Sequence, residues 1–123
     1  MRSTRENILI HGLIDWVDLA RVHSDILQEN PSVPLSEVQK KTLETIRTLV
    51  SEGLFELGDL SGEGGRFVAW EAPLDESMRE IYDVYVTHFN DKLTWTVYCW
   101  LNLTEKGEQI AKPLLERNHD SLS

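Results

Sequence analysis

Apolar side chains recur at two periods along this chain, and the switches between them mark out its elements. From Thr4 to Gly12 the spacing of Ile8 and Leu9, with Leu13 just beyond, predicts a short helix. Trp16 and Val17 have room for a two-residue strand. In DWVDLARVHSDILQEN, Leu19, Val22, Ile26 and Leu27 return at helical intervals. Asp15 or Asp18 can cap this second helix, and Asn30-Pro31 ends it. The third helix has the clearest stripe, made by Leu43, Ile46, Leu49 and Val50. Ser36 and Gln39 predict a capping box at its start. Gly53 stands where a left-handed C-terminal cap belongs, with Leu54 as the hydrophobic contact after it.

Beyond Gly53 the period falls to two. LFELGDL reads as a strand and runs into the break at Gly58–Gly65; RFVAWEAP reads as another, stopped by Pro73. Asp75 can cap a fourth helix, ESMREIYDVYVTHF, with Met78, Ile81, Tyr85 and Phe89 on one face and Leu74 packed at its start. TWTVYCWLNL predicts the strongest strand. Trp95, Val97, Cys99, Leu101 and Leu103 point one way and Thr96, Tyr98, Trp100 and Asn102 the other. Both faces are largely apolar, so cover on both sides is expected. Leu43, Ile46, Val50, Val97, Leu101 and Leu103 are expected to share one core. Thr104 starts a last helix, which Pro113 is expected to kink or split.

The resulting order is α+β: helix, short strand, two helices, strand, a strand and helix, strand, helix. TLVSEGLFELGDL followed by WLNLTEKGEQIA resembles the end of the recognition helix, the wing strands and the trailing helix of MarR- and PadR-like winged-helix regulators. Leu49, Glu52, Gly53, Leu54, Leu103, Thr104, Lys106 and Gly107 carry the resemblance. It implies a winged helix-turn-helix with a strand–helix insertion between the two wing strands. Residues 1–117 would form one domain, 60–94 the wing insertion and 118–123 a flexible tail. It also implies that DNA contacts map to Lys40, Lys41, Arg47 and Thr48 on the outer face of the third helix and to Arg66 near the wing. Glu37 and Glu44 share that outer face and weaken the potential a phosphate backbone would feel.

Charge sharpens the choice of partner. The formal net charge is −9. Residues 59–99 hold eight acidic and three basic side chains, so most of the excess lies in the inserted third. The apolar fraction of 41% with 27% charged suits a folded core and argues against disorder. One cysteine, Cys99, permits no internal disulfide and suits a reducing compartment. The start of the chain reads as neither a signal peptide nor a membrane span, so a cytoplasmic protein is expected.

Little in the chain points to catalysis. His11, His23, His88 and His119 share no metal-ligand spacing, and Cys99 lies in an apolar run. SGEGG lacks the following lysine of a phosphate-binding loop and reads as a turn. The expectation is a non-enzymatic protein without cofactor or metal. The aromatics Trp16, Phe67, Trp70, Tyr82, Tyr85, Trp95, Tyr98 and Trp100 read either as an aromatic core under the extra helix or as a binding surface. The acids Glu63, Glu71, Asp75, Glu76, Glu80 and Asp83 read either as a solvated helix face or as a docking surface for a basic partner, which would steer association. Arg79 and Asp83 are spaced for an ion pair. Two functions stay open. One is a protein-binding module whose partner is a basic nucleic-acid-binding protein or toxin, contacting Trp70, Glu71, Glu76, Glu80 and Asp83. The other is a DNA-binding regulator, possibly a homodimer, using Lys40, Lys41, Arg47, Thr48 and Arg66.

Overall fold

The structure is a computed structural model describing residues 3–61 and 65–122, with side chains as far as 117. Glu63 and the side chain of His119 therefore lie outside the described residues. The elements are α1 (Thr4–Ile14), β1 (Val17–Asp18), α2 (Leu19–Glu29), α3 (Leu35–Ser51), β2 (Phe55–Ser61), β3 (Arg66–Ala69), α4 (Leu74–Tyr82), α5 (Lys92–Trp95), β4 (Trp100–Leu103) and α6 (Glu105–Leu122). A π-helical turn, Asp83–Thr87, continues α4. The fold is α+β, with one antiparallel sheet in the order β1-β4-β2-β3. Leu57 pairs with Leu101 and Phe55 with Leu103, so β2 and β4 are neighbours although β3, α4 and α5 lie between them in sequence.

One core takes side chains from all six helices, including Ile8, Val22, Ile46, Ile81, Trp95 and Ala111, and closes on Phe55, Leu57 and Leu101 of the sheet. α4 is part of it: Met78, Ile81 and Tyr85 are buried, and Leu74 and Phe89 are partly buried against it. Among the described residues no helix is long and apolar enough to cross a membrane.

Local chemistry explains the boundaries that match the pattern. Asp18 caps α2 by accepting from the Arg21 N–H at 2.8 Å. Gly53 has φ +78°, the left-handed conformation that glycine adopts without a Cβ penalty, and the Leu54 N–H reaches back to the Leu49 carbonyl. Thr104 accepts from the Gly107 N–H at 3.0 Å and so caps α6.

Other expectations are overturned. The strand predicted over TWTVYCWLNL is only Trp100–Leu103; residues 92–95 form a helical turn, braced by the Trp95 indole N–H on the Phe89 carbonyl. Trp95 and Cys99, four apart, are buried, whereas Val97 is 51% exposed and stands outside the expected core. A spacing of four satisfies both periods, so alternation misread a turn as a strand. Of the other members of that predicted set, Ile46 and Leu101 are buried, and Leu43, Val50 and Leu103 pack partly buried against the core. Leu27 is exposed.

The predicted caps at Ser36 and Asp75 do not form. Pro34 and Pro73 hold the N-cap positions of α3 and α4, with no side-chain hydrogen bond. Gln39 is buried and donates instead to the Tyr85 carbonyl at 3.4 Å, across to the π turn. Pro113 lies inside α6 without dividing it, and the helix runs past Arg117 to Leu122.

Candidate partner-binding site

β2 and β3 form a hairpin, and the ladder continues one step past β3, where the Trp70 N–H donates to the Leu57 carbonyl at 2.9 Å. Leu57, Asp59, Val68 and Trp70 therefore share one face of the sheet. Phe55 and Leu57 fill the core from that face, and two residues further on Asp59 is exposed. Gly58 permits the close pairing: a Cβ there would come within 2.3 Å of the Val68 carbonyl oxygen.

At this end of the sheet a cavity of about 420 Å³ opens between the hairpin, α4 and the segment before β4. Asp59, Trp70, Glu71, Ala72, Glu80 and Tyr98 line it. The Trp70 and Tyr98 rings meet edge to face with centroids 5.7 Å apart, an aromatic corner in a wall that carries three carboxylates. Among the described residues none of the three carboxylates is ion-paired. The Tyr98 hydroxyl is held above its ordinary pKa, first by burial and then by the negative fields of Glu80 and Asp59.

Of the five residues expected to bind a protein partner, Trp70, Glu71 and Glu80 thus come together on one cavity. Glu76 and Asp83 do not line it; they flank Glu80 on the exposed side of α4 and its π turn, at helical spacing. Asp83 faces His88, with Nδ1 at 3.9 Å from the carboxylate, and Arg79 does not pair with it. The sequence pattern does not single out Asp59, whereas Tyr98 belongs to the aromatic set that reads as core or as binding surface. Asp59 left a signal, since an acid in phase with Phe55 and Leu57 interrupts a core face. The pairing of Tyr98 with Trp70 left none, because the Tyr98 segment is not the strand its alternation predicts.

The residues expected to contact DNA are dispersed. Lys40, Arg47 and Thr48 are exposed on α3, Lys41 is half-buried, and Arg66 lies at the start of β3. Arg47 is engaged: its guanidinium donates to the Asp75 carboxylate of α4 at 2.7 Å. α4 also closes over this flank of α3, where Leu43, Arg47, Met78 and Tyr82 line a shared cleft. Lys41 and Thr48 open instead onto a cleft of about 390 Å³ shared with the α1 and α2 ends, where Glu29 accepts from the Thr4 N–H at 2.7 Å and from the Thr4 hydroxyl.

A second half-buried cluster lies under the π turn. Tyr85 is fully buried and its hydroxyl is 2.5 Å from His23 Nδ1. The His23 ring sits against Tyr85, Phe89 and Trp95. Burial, then the charge of Lys92, lowers the His23 pKa, and burial pushes Tyr85 up to about 12. Cys99 is fully buried and its thiol is likewise pushed up to about 12, mainly by desolvation. These groups belong to the packing between α2, the π turn and the segment before β4. Comparison with protein-family models, with curated proteins and with solved structures finds no match to this chain.

Proposed function

We propose that this chain is a non-enzymatic binding module on a MarR/PadR-like winged-helix frame, and that it holds a basic segment of a protein partner. The frame is supported by α2 and α3 preceding a sheet in which β2 pairs with β4 around an inserted strand and helix. The partner class is carried by one observation: Asp59, Glu71 and Glu80, without an ion pair among the described residues, surround the Trp70–Tyr98 corner in a single cavity. Aromatic rings supply contact area and carboxylates supply the sign of the charge. Glu76 and Asp83, beside Glu80, extend the acidic surface along α4.

The DNA-binding alternative is disfavoured by the same helix. α4 flanks α3, its Asp75 neutralises Arg47, and the insertion places negative charge near the face that would approach phosphates. The reading is tested with a lysine- and arginine-rich dodecapeptide and, separately, a pool of random 20-base-pair duplexes, both at about 150 mM salt, where the Debye length is about 8 Å. Peptide affinity should fall with added salt and with the combined Glu76→Lys, Glu80→Lys, Asp83→Lys variant, and stay within about twofold for Lys40→Glu. Recovery of a discrete palindromic duplex, lost on Lys40→Glu, would overturn this reading in favour of the DNA-binding regulator.

A further inference from the structure

We propose that the cavity between α4 and the β2–β3 hairpin is a receptor for a single arginine side chain, its guanidinium against Trp70 and Tyr98 and its N–H groups on Asp59, Glu71 and Glu80. This deepens the basic-partner reading and rests on it. The volume, about 420 Å³, lies at the lower end of the roughly 300–1,000 Å³ of ligand pockets and suits one long side chain. The lining selects the kind. Two rings at an interplanar angle of 66° offer a face and an edge, which a planar, weakly hydrated guanidinium can stack on.

The carboxylates come from three different segments: Asp59 from β2, Glu71 from the loop after β3, and Glu80 from α4. A guanidinium carries five N–H donors in a fixed fork and can serve several separated acceptors at once. A lysine ammonium has three donors on a compact, strongly hydrated centre and cannot spread across them as well. Among the described residues no three acidic, histidine or cysteine side chains converge closely enough to hold a metal ion. Acceptors on three separate segments therefore suit the several N–H donors of a guanidinium better than a bare divalent cation. A trimethylated lysine would forgo hydrogen bonds to all three carboxylates.

The test is a titration of the intact chain with four capped tripeptides, Gly-X-Gly, in which X is arginine, citrulline, lysine or trimethyl-lysine. Binding is read from the Trp70 indole N–H resonance. Citrulline keeps the shape of arginine and removes its charge. The arginine peptide should shift the Trp70 signal and bind about tenfold tighter than the citrulline peptide and severalfold tighter than the lysine peptide. Glu80→Gln, at an exposed position, should weaken arginine binding about tenfold without altering the thermal melting temperature. Equal or tighter binding of either lysine form overturns the proposal, as does arginine binding that leaves Trp70 unmoved or is unaffected by Glu80→Gln. If the basic dodecapeptide still binds in that case, with its dependence on Glu76, Glu80 and Asp83, the basic-partner reading stands and the arginine receptor alone falls. If neither peptide class binds, both fall.

Discussion

The hydroxyl of Thr104 donates to the carbonyl of Gly53 at 2.6 Å, joining residues fifty-one apart in sequence. The same oxygen accepts from the Gly107 N–H, the Thr104 N–H donates to the Leu54 carbonyl, and the Lys106 ammonium donates to the Glu52 carbonyl at 2.8 Å. The backbone carbonyls of Glu52, Gly53 and Leu54, just past the end of α3, are thus satisfied by the residues that start α6. Thr104→Ala should lower the unfolding free energy by about 1–2 kcal/mol, and Thr104→Ser should recover most of it. Urea denaturation of the three proteins checks this; an unchanged midpoint for Thr104→Ala would remove the hydroxyl from the junction.

Two glycines at that junction should differ in their tolerance. Gly53 has φ +78°, and the nearest foreign atom to a Cβ there is Lys106 Cδ at 3.8 Å, so Gly53→Ala meets conformational strain but little steric conflict. About 1 kcal/mol is expected. A Cβ on Gly107 would stand 2.3 Å from the Leu54 carbonyl oxygen and 2.6 Å from Leu103 Cδ1, so α6 would have to move. Gly107→Ala should cost about 1–3 kcal/mol or more. Thermal melts that rank Gly53→Ala as the more damaging would contradict this packing.

Val97→Asp should be nearly neutral, within about 0.5 kcal/mol, because the side chain is 51% exposed. Leu101→Asp, at a buried position in β4, should give an insoluble or unfolded protein, since it places an unpaired charge in the core. Trp95→Ala, which empties a large buried site, should cost about 3–5 kcal/mol. A Val97→Asp protein that aggregates would restore the long strand that alternation predicts.

These positions mark how far the sequence could be read. Gly53, Asp18 and Thr104 act through capping chemistry confined to a few residues, and their pattern is visible locally. Gln39 was misread because its partner, Tyr85, is forty-six residues away. The segment around Val97 misleads because Trp95 and Cys99 fit a period of two and a spacing of four equally well. At the candidate site, charge and aromatic content mark Trp70, Glu71 and Glu80 within one stretch, and aromatic content marks Tyr98. Asp59 joins them only through strand register, and Tyr98 meets Trp70 only through a turn, neither of which composition encodes.

Cys99 should be unreactive in the folded protein. It is fully buried, and desolvation holds its thiol near a pKa of about 12, so thiolate is scarce at any mild pH. Iodoacetamide at pH 8 should leave the native chain unmodified over a period in which the urea-unfolded chain alkylates completely. Stoichiometric labelling of the native protein would mean that the segment before β4 opens to solvent.

His23 sets a pH dependence on the contact between α2 and the π turn. Its Nδ1 shares a hydrogen bond with the Tyr85 hydroxyl, and protonation puts a full charge on a half-buried ring. Burial, reinforced by Lys92, holds the folded pKa below the ordinary value of 6.5. Above 6.5 both folded and unfolded states carry a neutral ring, and this group leaves stability independent of pH. As pH falls below 6.5 the unfolded chain binds the proton first, so stability declines until the folded-state pKa is reached and then levels off. Asp25 acts in the opposite direction: burial raises its folded pKa above 3.8, so its contribution is present in acid and is lost as pH rises through that folded value. Urea denaturation of the wild-type chain should therefore give a lower unfolding free energy at pH 5.5 than at pH 7.5. His23→Gln, whose amide oxygen can still accept from Tyr85, should flatten that difference. An imidazole titration midpoint for His23 above 6.5, or an undiminished pH slope in His23→Gln, would refute the assignment.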